Sequence, residues 1–335
     1  MLTMEKVEVA PQETVLNLIS GFWTARSLYL AAKLGIADLF DDEPKPISQL
    51  AQETDCDPRS LYRLMRALAS VGIFTELADQ HFALTPLAAT LQSNAPDSMR
   101  YAVLAQMGYD HSLGWSHGLD SLKTGEIAFD TVTGMSIWEH YAQHPEDGMI
   151  FSQSMSSMGA AIAQAVVASY DFSRFNTIVD VGGAQGSLLS TILRAHPNLN
   201  GILFDLPEII ANVRLDGVNA QTVAGSFFES VPTGGDAYLL RWIIHDWNDE
   251  KASIILRNCH QAMPEDGKLM LLEGIIPTDN EPSPMKFIDV IMLLMTGGRE
   301  RTEAEYRTLL RSNGFELTRV IPTSSLLSII EAVKI

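Results

Sequence analysis

Between residues 177 and 276 the sequence sets down five short apolar runs, "TIVDV", "GILFDL", "TVAGSF", "AYLLRWI" and "KLMLLEGII", separated by stretches with helical spacing. Runs this short and this uniformly apolar have no polar face to offer water, so they read as strands buried on both sides. The helices between them must cover the sheet. The pattern predicts βαβ units and a parallel sheet, an α/β architecture over residues 171–335. Two further runs, "FELTRVI" and "LLSIIEAVK", are joined by only a few residues at Pro322. So close a pair is antiparallel and belongs at the sheet edge.

The first run leads into the turn "DVGGAQG", Asp180–Gly186. A dinucleotide fingerprint needs Gly-x-Gly-x-x-Gly so that a helix N-terminus can meet a pyrophosphate. No register fits, since Gly182 is followed two on by Ala184 and Gly183 by Gln185, and Gly-Lys-Ser/Thr is absent. Gly182 and Gly183 are expected to let the backbone pass close to a ligand. Asp180 puts a carboxylate beside the turn, which suits a cation better than a phosphate. Asp205, at the end of the next run, is placed to accept both ribose hydroxyls of a nucleoside. A nucleoside with a positive far end meets that description, and S-adenosylmethionine is one; a turn that merely packs helix to strand is the alternative.

"LLRWIIHDWNDE" puts His245 and Asp246 just past the fourth run, between Trp242 and Trp247. Ligands of open α/β sheets bind beyond the carboxyl ends of the strands, so His245 belongs on the same rim as the glycine turn. Glu273 ends the fifth run on that rim, and Glu300 follows the glycine pair of "TGGRERT". A histidine flanked by carboxylates is oriented and made more basic. A surface histidine with no such neighbours is the alternative.

The N-terminal part reads differently. Leu16, Ile19, Trp23, Leu28, Ala31 and Leu34 recur at helical intervals up to Gly35, and "DPRSLYRLMRALASVG" has Asp57 as N-cap, Pro58 at the first helical position and Gly72 beyond the end. "GIFTELADQHFALTP" reads as a hairpin. Helices followed by a hairpin make a winged-helix-like layout over residues 1–100, here expected to be a dimerisation domain. Arg59, Arg63 and Arg66 share a helix face that could meet DNA, but the first hundred residues hold more acids than bases. Residues 101–170 read as linking helices that line an acceptor pocket. Phe151, Met155, Met158 and Ile162 recur at one face, either as a core stripe or as a flexible pocket wall.

At 335 residues the chain exceeds one ordinary core. A formal net charge of −18 argues against a polyanionic partner such as nucleic acid, which needs clustered Lys and Arg. No apolar run reaches the roughly 18 residues that span a bilayer, and the N-terminal stretch lacks a signal-peptide pattern. The two cysteines, Cys56 and Cys259, lack metal-ligand spacing and suit a reduced cytoplasmic setting. A small-molecule substrate without a membrane partner follows.

"VDVGGAQG", "FDLPEII", "LRWIIHDWNDEKASIILRNCHQAMPEDGKLMLLEGIIP" and "GGRERTEAEYRTLL" together resemble, in order and spacing, the motifs of the caffeic-acid-type small-molecule O-methyltransferases. The resemblance extends through the N-terminal helices. It implies a Rossmann-like seven-stranded S-adenosylmethionine-binding domain, a homodimer formed through the N-terminal domain, and methyl transfer without a metal that yields S-adenosylhomocysteine. By position it implies a donor site of Asp180, Gly182, Gly183, Gly186, Asp205, Leu206, Ser226, Phe227 and Arg241. Arg241 stands where the family usually has lysine and Ser226 where aspartate is common. His245 would be the general base, steadied by Glu273 and Glu300. Met155, Met158, Trp242, Asp246, Asp289 and Met292 would shape the pocket of a hydroxylated aromatic acceptor. Met295 stands where the plant phenylpropanoid enzymes carry an asparagine, which argues against a phenylpropanoid. A member that binds the donor but has turned to a pericyclic, decarboxylation or hydroxylation step is a second reading, and a ligand-sensing winged-helix regulator a third.

Overall fold

The computed structural model describes residues 10–41, 43–95, 98–211 and 213–335, and these fall into two compact units that divide between Tyr109 and Asp110. In the first unit, α1 (Pro11–Leu34) opens on proline and is closed by Gly35 in the left-handed conformation, whose N–H bonds back to the last turn. Helices α2 (Ile47–Glu53) and α3 (Pro58–Ser70) follow, the latter capped by the Asp57 carboxylate on the Ser60 N–H at 2.8 Å. Three short strands, β1 (Lys45–Pro46), β2 (Phe74–Glu76) and β3 (His81–Leu84), form an antiparallel sheet in the order β1-β3-β2. Helices α4 (Pro86–Ala89) and α5 (Arg100–Gln106) complete the unit around Leu50, Leu61, Met65, Leu68, Phe74 and Phe82. Leu16, Leu18, Phe22 and Trp23 of α1 stand mostly exposed.

The second unit begins with five helices, α6 (Tyr109–Ser116), α7 (Gly118–Thr124), α8 (Ala128–Thr133), α9 (Ile137–Gln143) and the long α10 (Pro145–Ser169). The alternating part then runs β4 (Thr177–Val181), α11 (Ser187–Ala195), β5 (Asn200–Asp205), α12 (Pro207–Ile210), β6 (Ala220–Ala224), β7 (Ala237–Arg241), α13 (Asp249–Ala262) and β8 (Lys268–Glu273). Helices α14 (Pro284–Met295) and α15 (Glu303–Ser312) precede the closing strands β9 (Phe315–Pro322) and β10 (Ser328–Lys334). The seven-stranded sheet has the order β6-β5-β4-β7-β8-β10-β9, parallel from β6 to β8. The last hairpin is antiparallel, as the short connection requires, with β10 inserted between β8 and the edge strand β9. Among the described residues no helix is long and apolar enough to cross a membrane.

Strand parity decides which side chains meet. Along β7, Ala237 and Leu239 join the core under α10 and α11, while Tyr238 and Leu240 join the core under α13 and α15. By the same alternation Asp180 and Arg241 fall on the α10–α11 side, and Glu273 falls on the α13–α15 side. The strand order reverses between β4 and β7, so their carboxyl ends open a crevice there.

Away from that crevice, a buried carboxylate ties the hairpin to the end of α10. Glu331 of β10 accepts from the Tyr170 hydroxyl at 2.5 Å, from Thr318 at 3.0 Å, and from Arg319 and Arg174 at 2.9 and 2.8 Å. Burial would push the Glu331 carboxyl up, but the bonds from Arg319, Tyr170 and Thr318 outweigh it and hold the group down to about 2. A depressed native value stabilises the fold above the ordinary glutamate range, near 4.5, and that contribution disappears as pH falls towards 2. Both arginines are half-exposed, which screens the pairs. Glu331→Gln is therefore expected to cost roughly 1–3 kcal/mol at pH 7 and distinctly less at pH 3, read from urea midpoints at the two pH values.

Candidate active site

The glycine turn connects β4 to α11. Some of its backbone donors are committed within the protein: Gly182 N–H bonds to the Phe204 carbonyl at 2.8 Å, and Ala184 N–H to Asp205 Oδ2 at 2.8 Å. Gly186 N–H turns back to the Gly183 carbonyl. The glycines are also required by the chain's own packing. A Cβ on Gly182, whose φ is +70°, would lie 2.5 Å from Ile243 Cδ1, and one on Gly183 would lie 2.6 Å from the Asp180 carboxylate. Gly186 is likewise closed in by Leu203 and Leu215.

Asp180 is buried, and its Oδ2 has no hydrogen-bonding partner among the described residues. Burial raises its carboxyl to about 6, against the opposing pull of Arg241. Arg241 ends β7 on the same face and donates to the Gly159 carbonyl of α10 at 3.3 Å, an approach that only a glycine at 159 allows. Asp205 ends β5 and also accepts from its neighbour Leu206 N–H at 2.7 Å. A carboxylate offers about four acceptor sites, so two remain for hydroxyl groups. A buried acid with one unpartnered oxygen beside the turn, and a second acid one strand over, fit a ligand with an ammonium at one end and a ribose at the other. On the loop after β6, Ser226 Oγ accepts from Phe228 N–H, and Phe227 packs edge-on against Phe228 and towards Trp247.

His245 lies in a single helical turn just past β7 and is buried. Its Nδ1 is 2.7 Å from Glu300 Oε1, whereas Nε2 stands 3.6 Å from Asp246 Oδ1, beyond hydrogen-bond reach. The ring is thus held through Nδ1, and Nε2 is the nitrogen left to meet another molecule. Burial would lower the imidazole's affinity for a proton, but the carboxylates of Asp246, Glu273 and Glu300 raise it to about 10. The acids respond in kind, with burial pushing Asp246 up to about 6 and Glu273 up to about 7. These groups titrate as a set.

Glu273 does not hold the ring, as its place in the sequence suggests it should. Its Oε1 accepts the backbone N–H groups of Ile243 and Ile244 at 3.1 and 2.8 Å, and so fixes the peptide that carries His245. Asp289 on α14 likewise does not offer both oxygens to a substrate; Oδ1 accepts the Glu300 N–H at 2.8 Å. Trp242 lies near-parallel to the His245 ring at 6.4 Å and has a φ of +54°, a strained conformation for a bulky residue. Met155 and Met158 are half-buried on α10, and Met292 is buried on α14, where its sulfur accepts from Thr296.

Arg301 escaped the sequence reading altogether. It is 1 % exposed, and all five of its N–H donors are used: two on Asp249, two on the carbonyls of Ile244 and Arg299, one on Trp247. Arg299 N–H adds a bond to the His245 carbonyl at 2.8 Å, and Gly298 lies so close to that carbonyl that a Cβ there would collide with it. A charged residue is expected on the surface, so nothing in the pattern around residue 301 signals burial. An aromatic wall was also missed in part: Trp138 of α9 stands 6.2 Å from Trp247.

Known proteins resemble this chain in sequence and fold. Residues 115–316 match the O-methyltransferase domain and residues 16–94 match the O-methyltransferase dimerisation domain. The chain is 45% identical over 324 residues to the phenazine O-methyltransferase PhzM of Lysobacter antibioticus, covering 95% of each chain. It is 38% identical over 320 residues to an O-demethylpuromycin-O-methyltransferase of Streptomyces alboniger, covering 92% of this chain and 85% of that one. The crystal structure of LaPhzM superposes with a TM-score of 0.93 at 43% identity, over 98% of this chain and 100% of the other. That of an O-methyltransferase from neocarzinostatin biosynthesis, in complex with S-adenosyl-L-homocysteine and 1,4-dihydroxy-2-naphthoic acid, superposes with a TM-score of 0.78 at 30% identity, over 93% and 96%. The family model alone spans more than half the chain, and the crevice at the β4–β7 switch suits the donor those relatives use. The chain belongs to the O-methyltransferase family and is an enzyme that takes its methyl group from S-adenosylmethionine.

Proposed function

We propose that the enzyme methylates a hydroxyl of an aromatic natural product and that His245 removes the hydroxyl proton. The observation that carries this reading is the 2.7 Å contact between His245 Nδ1 and Glu300, which leaves Nε2 free on the rim beyond β7. Asp180, Asp205 and Arg241, with Gly182, Gly183, Gly186, Leu206, Ser226 and Phe227, would form the donor side. S-adenosylmethionine, when bound, supplies an electrophilic methyl group and leaves as S-adenosylhomocysteine.

The residues of the chain then have separate tasks. A phenol has a pKa near 10, and an imidazole raised to about 10 takes its proton with almost no driving-force penalty. Such proton transfer contributes roughly 10²–10⁴ in rate. Glu300 holds the ring, and Glu273 and Arg301 hold the peptide around it, so that Nε2 does not wander; positioning of this kind can be worth up to about 7–11 kcal/mol. Trp138, Trp242 and Trp247 exclude water from the acceptor side, where a nucleophile without hydration reacts more readily. Relatives named for phenazine, for puromycin and for a naphthoic acid complex support an aromatic acceptor.

In this reading residues 1–100 form the dimerisation module, 101–170 the acceptor side and 171–335 the donor domain. The exposed Leu16, Leu18, Phe22 and Trp23 support a homodimer built on α1. The unpaired Cys56 and Cys259 fit a cytoplasmic enzyme.

His245→Ala is expected to cut turnover a hundredfold or more with S-adenosylmethionine affinity nearly unchanged, measured by single-turnover assay and calorimetry; full activity would place the base elsewhere. Because Asp246, Glu273 and Glu300 all raise His245, the rate should climb with pH through the neutral range. Glu273→Gln removes one of those charges and keeps an acceptor for the Ile243 and Ile244 N–H groups. Its rate profile should rise at lower pH, by roughly one unit or more, when kcat/KM is followed from pH 5 to 10.

A further inference from the structure

The aromatic wall of the acceptor side ends in one polar cluster. Trp247, two residues beyond His245, meets Trp138 at 6.2 Å; Trp138 meets Phe151 at 5.9 Å; and Phe151 stacks on Tyr141 at 4.8 Å. These rings join α9 and α10 to the segment that bears the base. At the far end the Tyr141 hydroxyl donates to Asp110 Oδ2 at 3.0 Å. Asp110, on α6, is buried, and its Oδ1 accepts the His111 backbone N–H at 2.8 Å. His111 is buried as well, with Nδ1 3.6 Å from the same oxygen, so that any proton on this nitrogen faces Asp110.

Burial works against ionisation of Asp110, yet His111 and the Tyr141 hydroxyl hold its carboxyl below the usual range. An ionised carboxylate can only accept. The single proton of Tyr141 is therefore committed to Asp110, and what the phenol oxygen has left to offer is a lone pair. Asp246, near enough for its charge to be felt at Tyr141, is a second acceptor on the same wall. A donor group on the substrate would satisfy these atoms. A carboxylate would meet lone pairs and the negative charge of Asp110 and Asp246.

We infer that Asp110 and Tyr141 determine acceptor specificity, selecting aromatic hydroxyl compounds that carry a hydrogen-bond donor (amine, ring N–H or second hydroxyl) away from the methylated oxygen, and rejecting those with a carboxylate there. This deepens the hydroxyl-methylation reading and rests on it. The test compares 5-amino-1-naphthol with 5-hydroxy-1-naphthoic acid on the full chain saturated with S-adenosylhomocysteine. Dissociation constants are read from quenching of tryptophan fluorescence, and methyl transfer to each compound is measured separately with S-adenosylmethionine.

The wild type should bind the amine at least tenfold more tightly. Asp110→Asn and Tyr141→Phe should each reduce that preference fivefold or more. Tyr141→Phe removes one oxygen atom and keeps the stacked ring, so it carries the test if Asp110→Asn does not fold. Equal binding, preference for the acid, an unchanged ratio in Tyr141→Phe, or no binding of either compound below millimolar concentration would overturn the inference. Discrimination in binding without methylation of either compound would support it and count against the hydroxyl-methylation reading. Methylation of both compounds without discrimination would do the reverse.

Discussion

A guanidinium buried to 1 % exposure holds the surroundings of His245 in shape. Burying a charge is costly unless each of its donors finds a partner. Arg301 meets that condition by gathering carbonyls from Ile244, Trp247 and Arg299 around itself, with the Asp249 carboxylate reaching in from the surface. The segment with His245 and the segment with Glu300 are thereby laced together, and the 2.7 Å contact between imidazole and carboxylate follows. Gly298 is the steric condition for this lacing, since a side chain there would strike the His245 carbonyl.

The sheet distributes the charges around that centre. Alternation along β4 and β7 sends Asp180 and Arg241 to the α10–α11 side, and the same alternation along β8 sends Glu273 to the other. The acid beside the glycine turn and the acid beside His245 are therefore kept on opposite faces of one sheet, though they lie at the same strand ends. Each cluster can then tune its own groups: Asp180 against Arg241, and His245 against three carboxylates. Burial amplifies both, because charges in a poorly solvated site interact more strongly than they do in water.

Much of the fold is legible in the sequence. Short apolar runs marked the parallel strands, a four-residue connection marked the antiparallel hairpin, and Gly35, Asp57 and Pro58 marked helix ends. Asp180, Asp205, His245 and Glu300 could be picked out as candidates because each lies at or just past a strand end or beside a glycine turn, where open α/β sheets place their ligands. What could not be read was the partner of each group. Glu273 looks like a neighbour of the imidazole but bonds to backbone N–H groups, Asp289 looks like a substrate contact but bonds to the Glu300 N–H, and the turn glycines make room for Ile243, Leu203 and Asp180. The Asp110–Tyr141 bond joins residues 31 positions apart on two different helices.

Local pattern by itself determined the elements, their order, the parallel sheet and the rim on which the chemistry must lie, because hydrophobic period, caps and turns act over a few residues. Only the tertiary structure decided which atom of each side chain is spent on the protein and which remains for a ligand. Hydrogen bonds of a few ångströms between segments distant in sequence, such as those of Arg301 to residues 244, 247 and 249, have no periodic signature along the chain. They exist only once the sheet and its helices have closed around them.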